Sequence, residues 1–141
     1  MSNAFEGLKE GDDYSFVKKK FSRTDFVRYA GGGGDFNPIH HDQKFAEAAG
    51  LPTVFGMGML TAGILSRVPV EWFGPTALKS YGIRFQSRLW PDDTVTFKGV
   101  VSKLYEEAGV IHADLDLSAV TQKDEVLIKG FSTVRPWLPS S

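Results

Sequence analysis

The sequence predicts an α+β domain in which one antiparallel sheet curves around a buried central helix. Three observations carry that expectation. Helical patterns separated by glycine loops fill the chain up to about Pro75, and mostly alternating strand patterns fill the rest. One helix in the first part is apolar around nearly its whole circumference, so it needs cover on most sides. A length of 141 residues, 42% apolar and 13% aromatic, is enough for one sizeable core and too short for two. Residues 1–141 are therefore expected to form a single domain with one sheet layer, whose edge strands need pairing or protection. A dimer that joins two such sheets edge to edge is one way to provide it.

The first strand is expected over residues 14–21. A helix follows, with Ser22 or Thr24 as its N-cap and Asp25 at the positive end of its dipole. Phe26, Val27, Tyr29 and Ala30 give it an apolar side, and the run from Gly31 to Gly34 ends it. Asp42 caps a second, short helix carrying Phe45, Ala46, Ala48 and Ala49, which Gly50 and Pro52 stop. The third helix starts at Gly58. Met59, Leu60, Ala62, Ile64, Leu65 and Val68 leave only Thr61, Ser66 and Arg67 polar, which marks it as the buried one. Pro69 has no N–H and is expected to kink or end this helix, with Val68 pushed out of helical angles.

In the second half Tyr81, Ile83 and Phe85 alternate with Gly82, Arg84 and Gln86, and Val95 and Phe97 alternate with Thr94, Thr96 and Lys98. The clearest strand has Ile111, Ala113, Leu115, Leu117 and Ala119 on one face and His112, Asp114, Asp116 and Ser118 on the other. The phase slips at residues 99–101, which predicts a bulge there. Turns are expected at 90–93, 106–109 and 122–124.

Composition excludes several classes of function. Sixteen basic residues against seventeen acidic ones give a formal charge of −1, so no broad basic face is expected and nucleic acid is not an expected partner. The absence of cysteine from the sequence excludes disulfides, thiol nucleophiles and thiolate zinc sites. The longest nearly apolar segment, 54–65, falls short of the roughly 18 residues of a spanning helix, so no membrane association is expected. Residues 1–7 lack a basic region followed by an apolar run, so no secretion signal is read and a cytoplasmic location is expected.

The segment that carries chemistry is 29–42, Tyr-Ala-Gly-Gly-Gly-Gly-Asp-Phe-Asn-Pro-Ile-His-His-Asp. It is a glycine-rich loop between two helices, stiffened by Pro38. Asp35 and His40 lie five residues apart, a separation that a tight loop folds into hydrogen-bond reach. A carboxylate beside an imidazole makes an acid–base pair that takes a proton from water and delivers one elsewhere. The plainer alternatives stay open at this point: Asp35 capping a turn through its own backbone, and His40 as a partly buried loop histidine. Asn37 cannot titrate; it orients the loop or a catalytic water, or simply forms the turn. His41, next to His40, is expected to point elsewhere, and His112 to be solvated or at an interface. A metal site needs further ligands, and none is offered. The glycine run fails the dinucleotide pattern, because Phe36 stands where a third glycine belongs, and no lysine follows as in a phosphate loop. No metal and no cofactor are expected.

The segment resembles the signature of the MaoC-like family, the R-specific enoyl-CoA hydratases and β-hydroxyacyl-thioester dehydratases, which reads roughly Tyr-Ala-x-x-Ser-Gly-Asp-x-Asn-Pro-x-His-x-Asp. The chain matches at Tyr29, Ala30, Gly34, Asp35, Asn37, Pro38, His40 and Asp42, with Gly33 where serine is usual. A second family element, His-Gly-Met-Leu-Thr, corresponds to 57–61, with Met57 in place of histidine, and a Pro-Gly-Asp-Thr turn corresponds to 91–94, with Asp92 in place of glycine. The order and spacing of these elements cover nearly the whole chain. The resemblance implies a hot-dog fold and a substrate carried as a thioester on coenzyme A or acyl carrier protein. It also implies that Asp35 and His40 hold the water that adds to a trans-enoyl thioester and move protons on one face of it.

Addition of water places negative charge on the thioester oxygen, and the free N–H groups of a helix N-terminus suit that charge. Gly58, which opens the buried helix and has no side chain, is therefore the expected oxyanion donor through its backbone N–H; the alternative is that it only allows close packing. Arg84, Arg88 and Lys103 are candidates to meet a carrier phosphate, against the plain reading that they solvate the surface. Two other functions remain: a hot-dog acyl-thioesterase, in which water attacks the carbonyl, and a non-catalytic acyl-binding module or heterodimer subunit.

Overall fold

The computed structural model describes residues 4–18 and 20–138. Residues 1–3, which begin the segment without a secretion pattern, and Lys19, inside the expected first strand, lie outside the described residues. The strands are β1 (Asp13–Lys18), β2 (Leu78–Phe85), β3 (Val95–Glu107), β4 (Val110–Thr121) and β5 (Val126–Val134). The helices are α1 (Arg23–Gly33), α2 (Gln43–Ala48), α3 (Gly58–Leu65) and α4 (Arg67–Phe73), with 3-10 turns at Pro38–His40 and Pro75–Ala77.

All neighbouring strands pair antiparallel in one sheet, in the order β1-β3-β4-β5-β2. The long hairpin β3–β4 forms its centre. Its turn is only Ala108 and Gly109, at φ 50 and 76, the left-handed pair that matches the twist of flanking strands; the strands thus run further toward the tip than the sequence predicts. β5 pairs on both sides and completes the centre of the sheet, although the sequence marks no distinct strand there. β1 and β2 are the edges.

The bulge lies two residues later than predicted. Register is continuous through 99–101 and shifts between Val101 and Lys103. The feature that disturbs the pattern is Gly99, a packing notch: a Cβ there would lie 2.7 Å from Val68 Cγ1 and 3.0 Å from Leu117 Cδ2, so α4 reaches the sheet only because that side chain is missing.

Alternation then builds the core. Val95, Phe97 and Val101 from β3, Ala113, Leu115, Leu117 and Ala119 from β4, and Leu127 and Ile128 from β5 are all buried. Against this face lie α3, touching β3, β4 and β5, and α4, touching β1, β2, β3 and β5. His112 departs from its expected place: it is buried, its ring stacks on Tyr105 at 5.3 Å, and its Nδ1 meets the Val110 carbonyl at 3.0 Å.

Two expectations for the central helix need correction. The predicted single helix is two. The chain breaks at Ser66, and Val68 is helical within α4, with Pro69 in its first turn. A first-turn proline loses nothing, because its N–H has no intrahelical partner there, whereas in a continuous helix its ring would strike the Leu65 carbonyl. Nor is α3 buried on most sides: Thr61, Ala62 and Leu65 are buried, while Met59 is 56% exposed. One face packs on the sheet and the other is bare in the single chain.

Candidate active site

The site starts from the way α1 is set down. Ser22 caps it, and Asp25 bonds back, with Asp25 N–H donating to Ser22 Oγ at 3.1 Å and Ser22 N–H donating to Asp25 Oδ2 at 2.8 Å, a reciprocal pairing that satisfies two otherwise free donors. The Ser22 N–H bond holds the Asp25 carboxyl below its ordinary value of 3.8. Phe26 and Ala30 are buried and pin the helix to the core. The glycines at 31–33 belong to its last turn, and Gly34, at φ 75, terminates it; only glycine takes that left-handed angle without strain.

The chain then turns through Asp35 and Asn37 into the 3-10 turn. Asn37 Oδ1 accepts the Ile39 N–H at 3.2 Å and so caps that turn, with Pro38 fixing its first dihedral. Asp42 caps α2 by accepting the Phe45 N–H at 3.1 Å. His40 is thereby held at a defined point between two capped elements.

Asp35 and His40 are brought together. Asp35 Oδ2 lies 3.6 Å from His40 Nε2, while Asp35 Oδ1 accepts the Asn37 N–H at 3.3 Å. The carboxylate therefore both forms the local turn and faces the imidazole, one oxygen for each. His40 is 8% exposed, whereas the Asp35 side chain is 47% exposed. On its other side His40 Nδ1 lies 2.7 Å from the Phe55 carbonyl oxygen, and its ring meets the Phe55 ring edge-on at 4.9 Å. A carbonyl oxygen only accepts, so Nδ1 carries the proton. In the neutral ring Nε2 is then a lone pair, aimed at the same space as the Asp35 carboxylate. Two acceptors converging on one point suit a molecule that donates twice, and water is such a molecule.

A cavity of about 320 Å³ adjoins this pair. Asp35, Phe55, Met57, Gly58 and Phe85 are among its walls, and Leu127 and Ile128 contribute apolar surface from β5. His40 is not part of the wall; it adjoins it through its contacts with Asp35 and Phe55. Gly58 stands at the start of α3, and its N-cap Met57 supplies no side-chain bond; the Leu60 N–H closes on the Met57 carbonyl at 3.0 Å, which leaves the Gly58 N–H for a ligand. A Cβ at Gly58 would fall 2.6 Å from Phe85 Cε1; the bare glycine thus serves close packing as well as leaving its amide open.

The other candidates separate clearly. Arg88 lines the cavity, its guanidinium over the Phe55 ring at 5.3 Å. Arg84 is not among the lining residues, and Lys103 sits over the Tyr105 ring at 5.2 Å on β3. His41 Nε2 turns to the Phe36 carbonyl at 3.3 Å, away from His40. Among the described residues no cluster of three or more His, Asp or Glu is arranged to hold a metal ion. Phe55 is the residue that the sequence did not single out: its carbonyl, which no residue-type pattern encodes, orients His40.

The sequence profile of the MaoC like domain matches residues 7–123. The chain is 31% identical over 132 residues to an (R)-specific enoyl-CoA hydratase of Rhodospirillum rubrum, covering 92% of this chain and 89% of that protein. It is 32% identical over 133 residues to a 3-hydroxybutyryl-CoA dehydratase of Methylorubrum extorquens, covering 93% and 82%. Other curated relatives are matched over less of their own length, 54% in one case. Among solved structures, an (R)-hydratase from A. caviae involved in PHA biosynthesis superposes with a TM-score of 0.82 at 25% identity, over 95% of this chain and 99% of that one.

Proposed function

The chain belongs to the MaoC-like domain family, and from that membership we propose how its residues carry out reversible hydration of trans-enoyl thioesters to (R)-β-hydroxyacyl thioesters. The observation that carries the mechanism is the pair of acceptors, His40 Nε2 and Asp35 Oδ2, 3.6 Å apart beside the cavity. A water molecule donates one O–H to each, which leaves an oxygen lone pair directed at the β carbon of an enoyl group in the cavity. As the C–O bond forms, the pair takes one proton from the water; the α carbon receives one proton from the pair, on the same face. The water has then added across the double bond and the protein is unchanged. Read backwards, the same steps dehydrate a hydroxyacyl thioester.

Charge develops on the thioester oxygen during C–O bond formation. The Gly58 N–H, at the positive end of α3, is the donor we assign to it, a contribution of about 10²-fold in rate by comparison with other oxyanion donors. Asn37 acts through the turn it caps, holding His40 in register with Asp35. Arg88, at the cavity and stacked on Phe55, favours a carrier bearing phosphate, such as coenzyme A.

We further propose a homodimer. β2 is an edge strand with one free side, and Phe85 at its end is 50% exposed, as is much of Met59 on the bare face of α3. Pairing β2 with its copy would cover both. The oligomeric state in solution, measured by light scattering, tests this.

The activity is tested by following loss of the conjugated enoyl absorbance on short and medium enoyl-CoA substrates while assaying free thiol. Absorbance loss without thiol is expected. Thiol release would instead identify a thioesterase, and an inert dimer would identify an acyl-binding or heterodimer subunit.

A further inference from the structure

We infer that the hydroxyl of Thr61 is a second hydrogen-bond donor to the thioester oxygen, acting beside the Gly58 N–H. This rests on the hydratase reading above. Thr61 is 2% exposed yet forms part of the cavity wall. It is the polar member of a stretch of α3 that otherwise presents Gly58, Met59, Leu60 and Ala62.

Among the described residues no group hydrogen-bonds its side chain, and no buried side-chain oxygen or nitrogen is both sealed from solvent and unpaired. The Thr61 hydroxyl therefore opens on the cavity, with a hydrogen-bonding capacity that the protein leaves unused. A ligand that fills the cavity and displaces solvent would leave this hydroxyl unpaired, which is unfavourable. A ligand that supplies an acceptor removes the penalty.

Position selects which acceptor. Gly58 and Thr61 are three residues apart in one helix, so they share a face, about 5–6 Å apart. Side chains on a helix lean back over the turn toward its N-terminus, which carries the Thr61 hydroxyl toward Gly58. An oxygen about 3 Å from each donor fits between them. The acyl carbonyl is the substrate oxygen that gains charge during the reaction, so a bond to it strengthens as the transition state forms.

The test compares Thr61→Val, which keeps the branched shape and removes the hydroxyl, with Thr61→Ser, which keeps the hydroxyl. Hydration of an enoyl-CoA is measured as kcat and KM, and the carbonyl stretch of a 13C-labelled hydroxyacyl-CoA bound to each variant is read by infrared difference spectroscopy. Thr61→Val is expected to lower kcat about 10- to 100-fold with KM nearly unchanged and to move the carbonyl stretch to higher frequency. Thr61→Ser is expected to stay within a few-fold of the parent, with its stretch unmoved. Equal losses in both variants, or an unshifted stretch in Thr61→Val, would overturn the inference; if the valine protein fails to fold, Thr61→Ala is read by the same two measurements. An inactive parent protein would count against the hydratase reading itself, whereas an active parent with a fully active Thr61→Val would remove only the role of Thr61.

Discussion

The Nδ1–H of His40 is donated to the carbonyl oxygen of Phe55 over 2.7 Å, and this single bond decides what Asp35 faces. With that proton committed, the nitrogen 3.6 Å from Asp35 is an acceptor in the neutral ring. Asp35→Asn turns one of the two acceptors into a group that also donates, and His40→Ala removes the other. Each is expected to lower kcat by about 10²- to 10⁴-fold with the fold intact, as read by enoyl absorbance and circular dichroism. Normal turnover in either variant would exclude the mechanism.

Gly56 and Gly58 are two residues apart and fail differently on replacement. A Cβ at Gly56 meets Leu89 Cδ2 and Phe26 Cε1, both at 2.9 Å, and both side chains are buried. Gly56→Ala is therefore expected to cost about 1–3 kcal/mol of stability, seen as a lower denaturation midpoint. At Gly58 the obstacle is the half-exposed ring of Phe85, which can swing aside into the cavity. Gly58→Ala is expected to keep the melting temperature and lose activity about 100-fold, and Phe85→Leu in the same protein to restore part of it.

Tyr81 fastens α3 to the edge strand. Its hydroxyl donates to the Ala62 carbonyl at 2.6 Å, and burial pushes its pKa from 10.0 up to about 12. A raised value means that the folded state holds the proton more tightly than the unfolded one. The stabilisation is thus complete below about pH 10 and lost as pH rises toward 12. Tyr81→Phe is expected to lose about 1 kcal/mol at neutral pH and to flatten the alkaline limb of a stability–pH curve from urea titrations.

Asp25 has the opposite sign. Its carboxyl is lowered from 3.8, first by the hydrogen bond from the Ser22 backbone and further by Lys18. Its contribution is present above that ordinary value and fades as pH falls through the lower, folded one. Asp25→Ala is expected to cost about 1 kcal/mol at neutral pH, with the difference from the parent closing in strong acid.

Much of this was legible in the residues. Ser22 and Asp42 cap the helices the sequence assigns to them, because a side-chain cap is a local interaction between near neighbours. The pairing of Asp35 with His40 was legible for the same reason, being confined to one short loop. What escaped depends on distant partners. Gly99 looks like a strand irregularity until Val68 is seen above it. His112 alternates with acidic residues, yet Tyr105 across the hairpin buries it. The break at Ser66 moves Pro69 from a fault inside one helix to a harmless place in the next. The apolar circumference of α3 suggests burial on most sides, yet Met59 is 56% exposed, because which face meets the sheet is set by packing that periodicity does not encode.

The glycines that close α1 have a mechanical consequence. Residues 31–33 form its final turn without any side chain to brace it, and each glycine weakens a helix by roughly 0.5–1 kcal/mol relative to alanine. That turn has the least intrinsic helix stability of α1, whereas Ser22 and Asp25 secure the opposite end. Asp35 follows this weak turn and is held by the Asn37 N–H at 3.3 Å, while His40 is moored to the Phe55 carbonyl at 2.7 Å. The spacing of the pair is thus set by a long bond on the carboxylate side and a short one on the imidazole side, so a displacement of α1 would shift Asp35 before His40.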